Sequence, residues 1–249
     1  MSAIPFGLQL YTVRDHMEKD PEATLKAVKA AGYDNVELAG TAGMSAADYR
    51  ALLDDCGLRA FSGHVGIEEL VEDVDQTIED AHILGMDYVV VPFIGGDMTP
   101  NREAWVQYAR EMEAAGFTLK EAGLTLCYHN HAHEYEILDG ETALDAIFNT
   151  ADAEALAAEL DVYWIRHAGF DPVAEIEKRP GRLPILHVKD MTDGDPPTFA
   201  EVGKGVIDWE PVFRAAEAAG VKWYAVEQDT CPVDSLESAR VSAEYMKQL

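Results

Sequence analysis

The sequence predicts one domain of the α/β class, a (β/α)₈ or TIM barrel that spans residues 1–249. Short apolar segments of strand type alternate with segments of helical periodicity eight times along the chain. Most helical segments end at a glycine or a polar turn just before the next strand. An open doubly wound sheet is the main alternative, but it rarely needs eight units, and no Gly-x-Gly-x-x-Gly turn follows the first strand.

The first half of the chain contains four strand–helix units. Apolar alternation or continuous apolar runs predict strands at Phe6–Tyr11, Tyr33–Leu38, Leu58–His64 and Asp87–Phe93. Capping residues and apolar periodicity predict helices from Asp20 to Gly32, from Ser45 to Gly57, from Ile67 to Leu84 and from Asn101 to Glu121.

The second half repeats the pattern. Strands are predicted from Leu124, at Ala157–Val162, at Pro184–Asp190 and at Lys222–Glu227. Helices are predicted at Glu141–Ile147, Pro172–Lys178, from Asp208 to Gly220 and at Ser235–Met246. Because barrels of this kind carry their active sites at the C-terminal ends of the strands, polar residues there are the candidates for function.

The net charge of −27, from 46 acidic and 19 basic side chains, argues against a protein that binds by neutralising phosphates. Nucleic acid and anionic membranes are therefore not expected as partners. The acidity is most simply a solvated surface, and it is compatible with cation binding.

The three cysteines, Cys56, Cys127 and Cys231, lack CxxC spacing and do not form a disulfide framework by count. The N-terminal residues lack a basic region followed by a long apolar core, so no secretory signal is expected. No run approaches the roughly 18 apolar residues of a membrane span. We expect a cytoplasmic protein.

Polar side chains gather at the predicted strand ends, above all at strands five to eight. They are Gln9, Tyr11, Glu37, His64, His129, His131, Glu134, Asp161, His187, Lys189 and Glu227. Any one of them has a structural explanation: Asp161 as a helix cap, His187 as a histidine bound by backbone, Glu227 as a solvent-facing carboxylate. Together, strands five to eight can supply Glu, Asp, His and Glu, and three oxygen ligands with one nitrogen suit Mn²⁺, Mg²⁺, Co²⁺ or Zn²⁺.

Several motifs in this order resemble the xylose-isomerase-like TIM-barrel superfamily of sugar isomerases and epimerases. They are Tyr128-His129-Asn130-His131-x-x-Glu134, Leu160-Asp161-x-x-Trp164, His187-Val188-Lys189-Asp190, Glu201-Val202-Gly203-x-Gly205-x-Ile207-Asp208-Trp209 and Val226-Glu227. The resemblance runs from Phe6 to the last helix. The HNHxxE and HxKD elements resemble the branch of inosose dehydratases and keto-sugar isomerases.

The resemblance implies one divalent ion, with Mn²⁺ expected first, held by Glu134, Asp161, His187 and Glu227. Many members carry the first glutamate directly at the end of strand five, where this chain has His129. We therefore expect Glu134 as the first ligand, with His129 or His131 as the alternative.

The chemistry that this set supports is proton abstraction next to a carbonyl, assisted by a Lewis-acidic ion. The resemblance implies that Glu134 and Glu227 are the two bases and that His131 and Lys189 polarise or reprotonate oxygens. We expect a sugar or keto-sugar isomerase or epimerase, with an inosose-type dehydratase as the alternative on the same site.

Further residues near the strand ends are expected to contact the substrate, a sugar, keto-sugar or cyclitol. They are Gln9, Tyr11, Arg14, His64, His129, Trp164, His167 and Glu201, the last also a lid candidate together with Lys204. The aromatic members could equally pack the barrel mouth, and Arg14 is a possible clamp for phosphate or carboxylate. The resemblance also implies a homodimer or homotetramer.

Two other classes of function remain as alternatives. An AP endonuclease shares this barrel but needs a basic DNA-binding face, which a charge of −27 does not favour. A non-catalytic sugar-binding barrel or subunit would have had no need to keep four potential ligands together.

Overall fold

A computed structural model describes residues 4–95 and 97–249 of the chain. Eight parallel strands close into a barrel in chain order, so the predicted fold class is confirmed. The strands are β1 (Phe6–Gln9), β2 (Asn35–Leu38), β3 (Arg59–His64), β4 (Tyr88–Val91), β5 (Thr125–His129), β6 (Leu156–Asp161), β7 (Ile185–Val188) and β8 (Trp223–Val226).

The described residues form eleven α-helices, most of them outside the barrel between successive strands. They are α1 (Arg14–Met17), α2 (Pro21–Ala31), α3 (Ala46–Cys56), α4 (Ile67–Glu72), α5 (Val74–Leu84), α6 (Arg102–Glu121), α7 (Ala143–Thr150), α8 (Val162–His167), α9 (Pro172–Glu177), α10 (Trp209–Ala219) and α11 (Ser235–Met246). Short 3-10 turns follow β1 and β5, at Leu10–Val13 and His133–Tyr135.

The helix-start signals are largely confirmed. The Asp20 carboxylate accepts a hydrogen bond from the Ala23 amide at 2.9 Å, and α2 ends at Gly32 in the left-handed region with φ 106°. The prediction of one helix from Ile67 to Leu84 is wrong. Asp73 leaves helical geometry with φ −148° and caps a second helix through its side chain, so the segment divides into α4 and α5.

The barrel interior is apolar at its N-terminal end and polar at its C-terminal end. The apolar layer consists of Phe61, Val90, Cys127, Ala157, Ile185 and Ala225. Side chains on one face of a strand recur every second residue. Two or four residues further along their strands, the side chains therefore point inward again, and these are polar. They are His129, Glu159 with Asp161, His187 and Glu227, all of them buried.

None of the helices in the described residues is both long and apolar enough to cross a membrane. The three cysteines carry free thiols, as their spacing predicted.

Candidate metal centre and active site

Four side chains from the ends of successive strands converge above the apolar layer. Each offers one nitrogen or oxygen, and these atoms lie within 4.8 Å of one another; the four are His129, Asp161, His187 and Glu227. His187 Nδ1 lies 3.0 Å from Glu227 Oε2 and 3.9 Å from Asp161 Oδ2. His129 Nε2 lies 3.9 Å from the same Asp161 oxygen. We call these four residues the upper cluster.

The upper cluster has the composition of a metal centre. Two imidazoles and two carboxylates suit a borderline divalent ion such as Zn²⁺, Co²⁺ or Mn²⁺ better than Mg²⁺, which prefers oxygen ligands alone. Asp161 Oδ2 is buried and forms an ion pair with Lys189 Nζ at 2.9 Å, but it makes no hydrogen bond of acceptable geometry within the described part of the chain. The residues therefore fit an ion.

Glu134, the expected first ligand, lies outside the upper cluster. Its Oε1 accepts a hydrogen bond from the Tyr128 hydroxyl at 2.7 Å, and its Oε2 accepts one from the His131 amide at 2.8 Å. A 3-10 turn at His133–Tyr135 follows the end of β5 at His129. The Glu134 side chain bonds back to the His131 amide and so holds this turn in place. His129, the alternative ligand, takes the place beside Asp161 and His187.

Lys189 places a buried ammonium group beside the upper cluster. Its Nζ lies 2.9 Å from Asp161 Oδ2, 2.7 Å from Glu227 Oε2 and 2.8 Å from Asp229 Oδ1. Burial alone would lower the pKa of Lys189, but these three carboxylates hold it well above its ordinary value. Lys189 is therefore a cation in the folded protein.

Asp229 was missed in the sequence, although it lies only two residues beyond Glu227. Burial and the nearby charge of Glu227 raise the pKa of Asp229 to about 6. The same neighbourhood acts in the opposite direction on Glu227: burial opposes ionisation, but Lys189 and His187 hold its pKa well below the usual range.

A second layer of buried polar groups lies on the far side of the two histidines. Its carboxylates are Glu37 on β2 and Glu159 on β6. Glu37 accepts hydrogen bonds from Gln9 Nε2 at 3.0 Å and from the Ser62 hydroxyl. His64 Nε2 lies 3.3 Å from Glu159 Oε1. We call Gln9, Glu37, Ser62, His64 and Glu159 the lower layer.

The structure places Gln9 and His64, both predicted substrate contacts, in the lower layer. Glu159 was not predicted as a site residue, because it lies within the segment that was interpreted as a buried strand. Its position two residues before Asp161 is the signal that places both on one face of β6.

His131 and Trp164 lie together above the upper cluster. Their ring centroids are 5.3 Å apart, and His131 lies 4.9 Å from His129. His131 Nδ1 and Trp164 Nε1 are buried and have no hydrogen-bond partner in the described residues. Burial and the charge of Lys189 lower the pKa of His131 to about 3, so this imidazole is neutral.

Aromatic side chains complete the wall. Phe199 packs edge-on against Trp164 at 5.7 Å, and the half-exposed Phe93 packs against His131 at 5.4 Å. His167 is exposed on α8 and stacks on Tyr163 at 5.6 Å. Phe93 and Phe199 were not predicted as wall residues because neither lies in a recognisable motif.

Three other predicted substrate contacts, Tyr11, Arg14 and Glu201, interact with other parts of the chain. The Arg14 guanidinium donates to the backbone carbonyls of Tyr11 and Asp229, each at 2.8 Å, and lies 4.0 Å from the Tyr11 ring centroid. The Glu201 carboxylate accepts a hydrogen bond from Ser238 of α11 at 2.7 Å, which ties its loop to the helix. Two N–H groups of Arg14 are thus bound to backbone carbonyls.

The loop after β7 is organised by Asp190. Its buried carboxylate accepts hydrogen bonds at 2.8–3.2 Å from the amides of Met191, Gly203, Gly205 and Ile207 and from the Trp209 indole. A Cβ at Gly205 would lie 2.2 Å from Asp190 Oδ1, so only glycine fits there. The carboxylate explains why the HxKD motif and the glycine-rich loop occur together.

A family model described as the xylose isomerase-like TIM barrel matches residues 25–249. An inosose dehydratase of Clostridium perfringens is 24% identical over 176 residues, which are 63% of this chain and 59% of the relative. This chain therefore matches about three fifths of that relative's length.

Two solved structures show the same fold. A sugar phosphate isomerase/epimerase from Parabacteroides distasonis aligns with a TM-score of 0.87 at 24% identity and covers 99% of each chain. The IOLI protein with a bound zinc atom aligns with a TM-score of 0.75 at 15% identity over 98% of this chain and 96% of that one.

Proposed function

Because the chain belongs to the xylose isomerase-like TIM barrel family, we propose that it is a divalent-metal-dependent isomerase or epimerase of a sugar or keto-sugar. The reaction begins with removal of the proton next to a carbonyl. The observation that carries the proposal is the convergence of two imidazoles and two carboxylates at four successive strand ends, namely His129, Asp161, His187 and Glu227.

These four residues would hold the ion, with His129 in place of the expected Glu134. The nitrogen share of the ligand set favours Zn²⁺, Co²⁺ or Mn²⁺. When bound, the ion supplies Lewis acidity that polarises the substrate carbonyl and makes the neighbouring C–H more acidic. Zinc is present in the IOLI protein, whose fold this chain shares.

The proton transfers fall to side chains of opposite character. His131 has an unpartnered buried nitrogen above the upper cluster and is neutral, so it is placed to accept a proton there. Its pKa of about 3 makes it a weak base, so the transfer depends on a C–H that is already acidified. Lys189 is cationic and can donate a hydrogen bond or a proton to the developing oxyanion. Glu227 stays ionised beside Lys189 and keeps the ammonium group in place.

The walls favour a polyhydroxylated ring as the substrate. Trp164, Phe93 and Phe199 offer apolar faces of the kind that sugar rings pack against. The unpartnered Trp164 Nε1–H can donate to a hydroxyl.

Dehydration of a keto-cyclitol or keto-sugar is the second candidate. Epimerisation was expected to use Glu134 and Glu227 as two bases, but Glu134 is bound to Tyr128 and to the backbone outside the upper cluster. The remaining pair, a neutral base and a cationic acid, also suits loss of a hydroxyl group after proton removal. The curated relatives that match the chain are named inosose dehydratases.

The experiment is an NMR screen in D₂O of the zinc- or manganese-loaded protein against aldoses, ketoses, keto-inositols and keto-glucosides. Solvent deuterium in a substrate or product of unchanged composition supports isomerisation or epimerisation, and loss of water supports dehydration. His131→Gln, which leaves the four ligands intact, should lower exchange about 100-fold or more. A metal-loaded protein that binds these compounds but exchanges no deuterium would be a binding barrel instead.

A further inference from the structure

His187 has carboxylates on both sides of its ring. Its Nδ1 lies 3.0 Å from Glu227 Oε2 in the upper cluster. Its Nε2 lies 2.8 Å from Glu37 Oε1 and 2.8 Å from Glu159 Oε1 in the lower layer. The ring is fully buried.

His129 also lies between the two sets of carboxylates, but its Nδ1 faces the lower layer and its Nε2 faces the upper cluster. Its Nδ1 lies 3.0 Å from Glu159 Oε1, and its Nε2 points to the upper cluster at 3.9 Å from Asp161 Oδ2. Glu159 Oε1 therefore contacts the lower nitrogen of both histidines. The two potential ligands share one carboxylate oxygen beneath them.

A neutral imidazole has one N–H and one nitrogen with a lone pair, and only the latter binds an ion. A carboxylate can accept only from the N–H. Glu227 Oε2 also lies within hydrogen-bond distance of His187 Nδ1, so in the metal-free chain both nitrogens of His187 have a carboxylate acceptor. Once Glu227 serves as a metal ligand, the lower-layer carboxylates are the remaining acceptors, and they place the proton on His129 Nδ1 and on His187 Nε2. The lone pairs that remain, on His129 Nε2 and His187 Nδ1, are the two that face the upper cluster.

We infer that Glu159 and Glu37 are positioning residues that set the tautomers and ring orientations of the two histidine ligands. This inference rests on the metal-dependent function proposed above. Glu37 is itself held by Gln9 Nε2 and by the Ser62 hydroxyl. Its place is thus fixed independently of His187, as an outer partner of a ligand requires.

A second ion in the lower layer is the alternative. His64, His129, Glu159 and His187 also offer atoms within 4.8 Å of one another. Occupying both places at once would require both nitrogens of His129 and of His187 as ligands, and hence loss of the remaining N–H proton from each neutral ring to give two imidazolates. Since a neutral ring gives only one lone pair, the geometry favours hydrogen bonds below and one ion above.

The first test reads the tautomers in the unmodified chain. In zinc-loaded protein with ¹⁵N-labelled histidine, long-range ¹H–¹⁵N spectra should show His187 protonated at Nε2 and His129 protonated at Nδ1. Single His→Asn variants of the other six histidines remove their signals and leave this pair assigned. The opposite tautomer at either ring would overturn the inference.

The second test measures Co²⁺ binding by titration and by the visible spectrum of the bound ion. Glu159→Gln should weaken binding by about 10- to 100-fold and change the spectrum. Glu175→Gln is the matched control, because Glu175 on α9 is also a buried carboxylate, 2% exposed, but pairs with Arg179 just beyond the end of that helix. It should bind Co²⁺ as the wild type does.

Wild-type affinity and spectrum in Glu159→Gln would overturn the positioning role, as would two Co²⁺ ions per wild-type chain. A wild-type chain that binds no Co²⁺ would overturn the proposed function itself. If Glu159→Gln does not fold, the tautomer measurement on the wild type decides.

Discussion

The Lys189 ammonium lies 2.7 Å from Glu227 Oε2, so a buried cation neutralises a carboxylate that is also a candidate metal ligand. The same ammonium lies 2.9 Å from Asp161 Oδ2, a second candidate ligand. An ion in the upper cluster would therefore share its carboxylates with a positive charge. We therefore expect Lys189 to weaken metal binding, because like charges in a poorly solvated site repel each other strongly.

Lys189→Met should separate these two effects. Removing the ammonium should tighten binding of Zn²⁺ or Mn²⁺ by about 10-fold or more, since one pK unit of charge interaction corresponds to a factor of ten. Turnover should fall by about 100-fold or more through loss of the acid. Isothermal titration with metal and the D₂O exchange rate measure the two quantities.

Lys222→Met provides the control, because Lys222 is exposed directly before β8, at the end of the barrel opposite the upper cluster. It should change neither metal affinity nor exchange. Weaker metal binding in Lys189→Met would show that the ammonium supports the ion site and does not compete with it.

The identity of the first ligand is tested by comparing His129→Ala with Glu134→Ala. His129 Nε2 faces Asp161, whereas both Glu134 oxygens are bound by Tyr128 and His131. His129→Ala should weaken metal binding by more than about 100-fold. Removal of a residue that only hydrogen-bonds to a ligand costs about 10- to 100-fold. Glu134→Ala should keep its metal but lose stability, because its hydrogen-bond donors are left buried.

Metal content after dialysis against a weak chelator is the measurement for both variants. Loss of metal from Glu134→Ala alone would contradict the geometry and restore the ligand set that the sequence motifs first indicated.

Much of the barrel was predictable because its signals are local. Strand alternation and helix caps such as Asp20 need only neighbours in the chain. The error at Asp73 is local too: a residue inside an apolar helical pattern left helical geometry to cap α5 with its own carboxylate. Aspartate is a residue type that often caps helices, but the apolar periodicity on both sides of Asp73 favoured one continuous helix.

The site was predicted in part, and the limit is physical. Asp161, His187 and Glu227 lie at strand ends, where barrel topology alone brings side chains together. Glu134 lies five residues beyond the end of β5, so its position depends on how the turn closes. Glu37 and Glu159 depend on contacts between strands that are far apart in the chain, which periodicity does not report.

Asp190→Asn should destabilise the protein by about 2–4 kcal/mol, because the new amide would face several buried N–H donors. Asp208→Asn is a control from the same loop. Asp208 is exposed and makes no side-chain capping bond, so the change should stay within about 0.5 kcal/mol. Urea unfolding measures both, and equal stability of the two variants would contradict the anchoring role of Asp190.

The metal-free protein should lose stability as pH rises from 6.5 towards 9. Burial would lower the pKa of His64, but Glu37 and Glu159 raise it to about 9. The pKa of His187 is also raised, by the same two carboxylates against the effect of burial. The unfolded imidazoles titrate near 6.5, so above that pH the folded state holds protons that the unfolded state has released.

Protons bound only by the folded state stabilise it, and this stabilisation falls as they are released. The stabilisation is fully present below pH 6.5 and is lost as pH rises through the folded pKa values, at up to about 1.4 kcal/mol per pH unit for each histidine. His64→Asn should therefore reduce the slope of unfolding free energy against pH between 6.5 and 8.5 by about half. Chelator-treated protein in urea at four pH values measures the slope. An unchanged slope in His64→Asn would mean that His64 carries no proton in the folded chain, and the charge balance of the lower layer would have to rest on His187 alone.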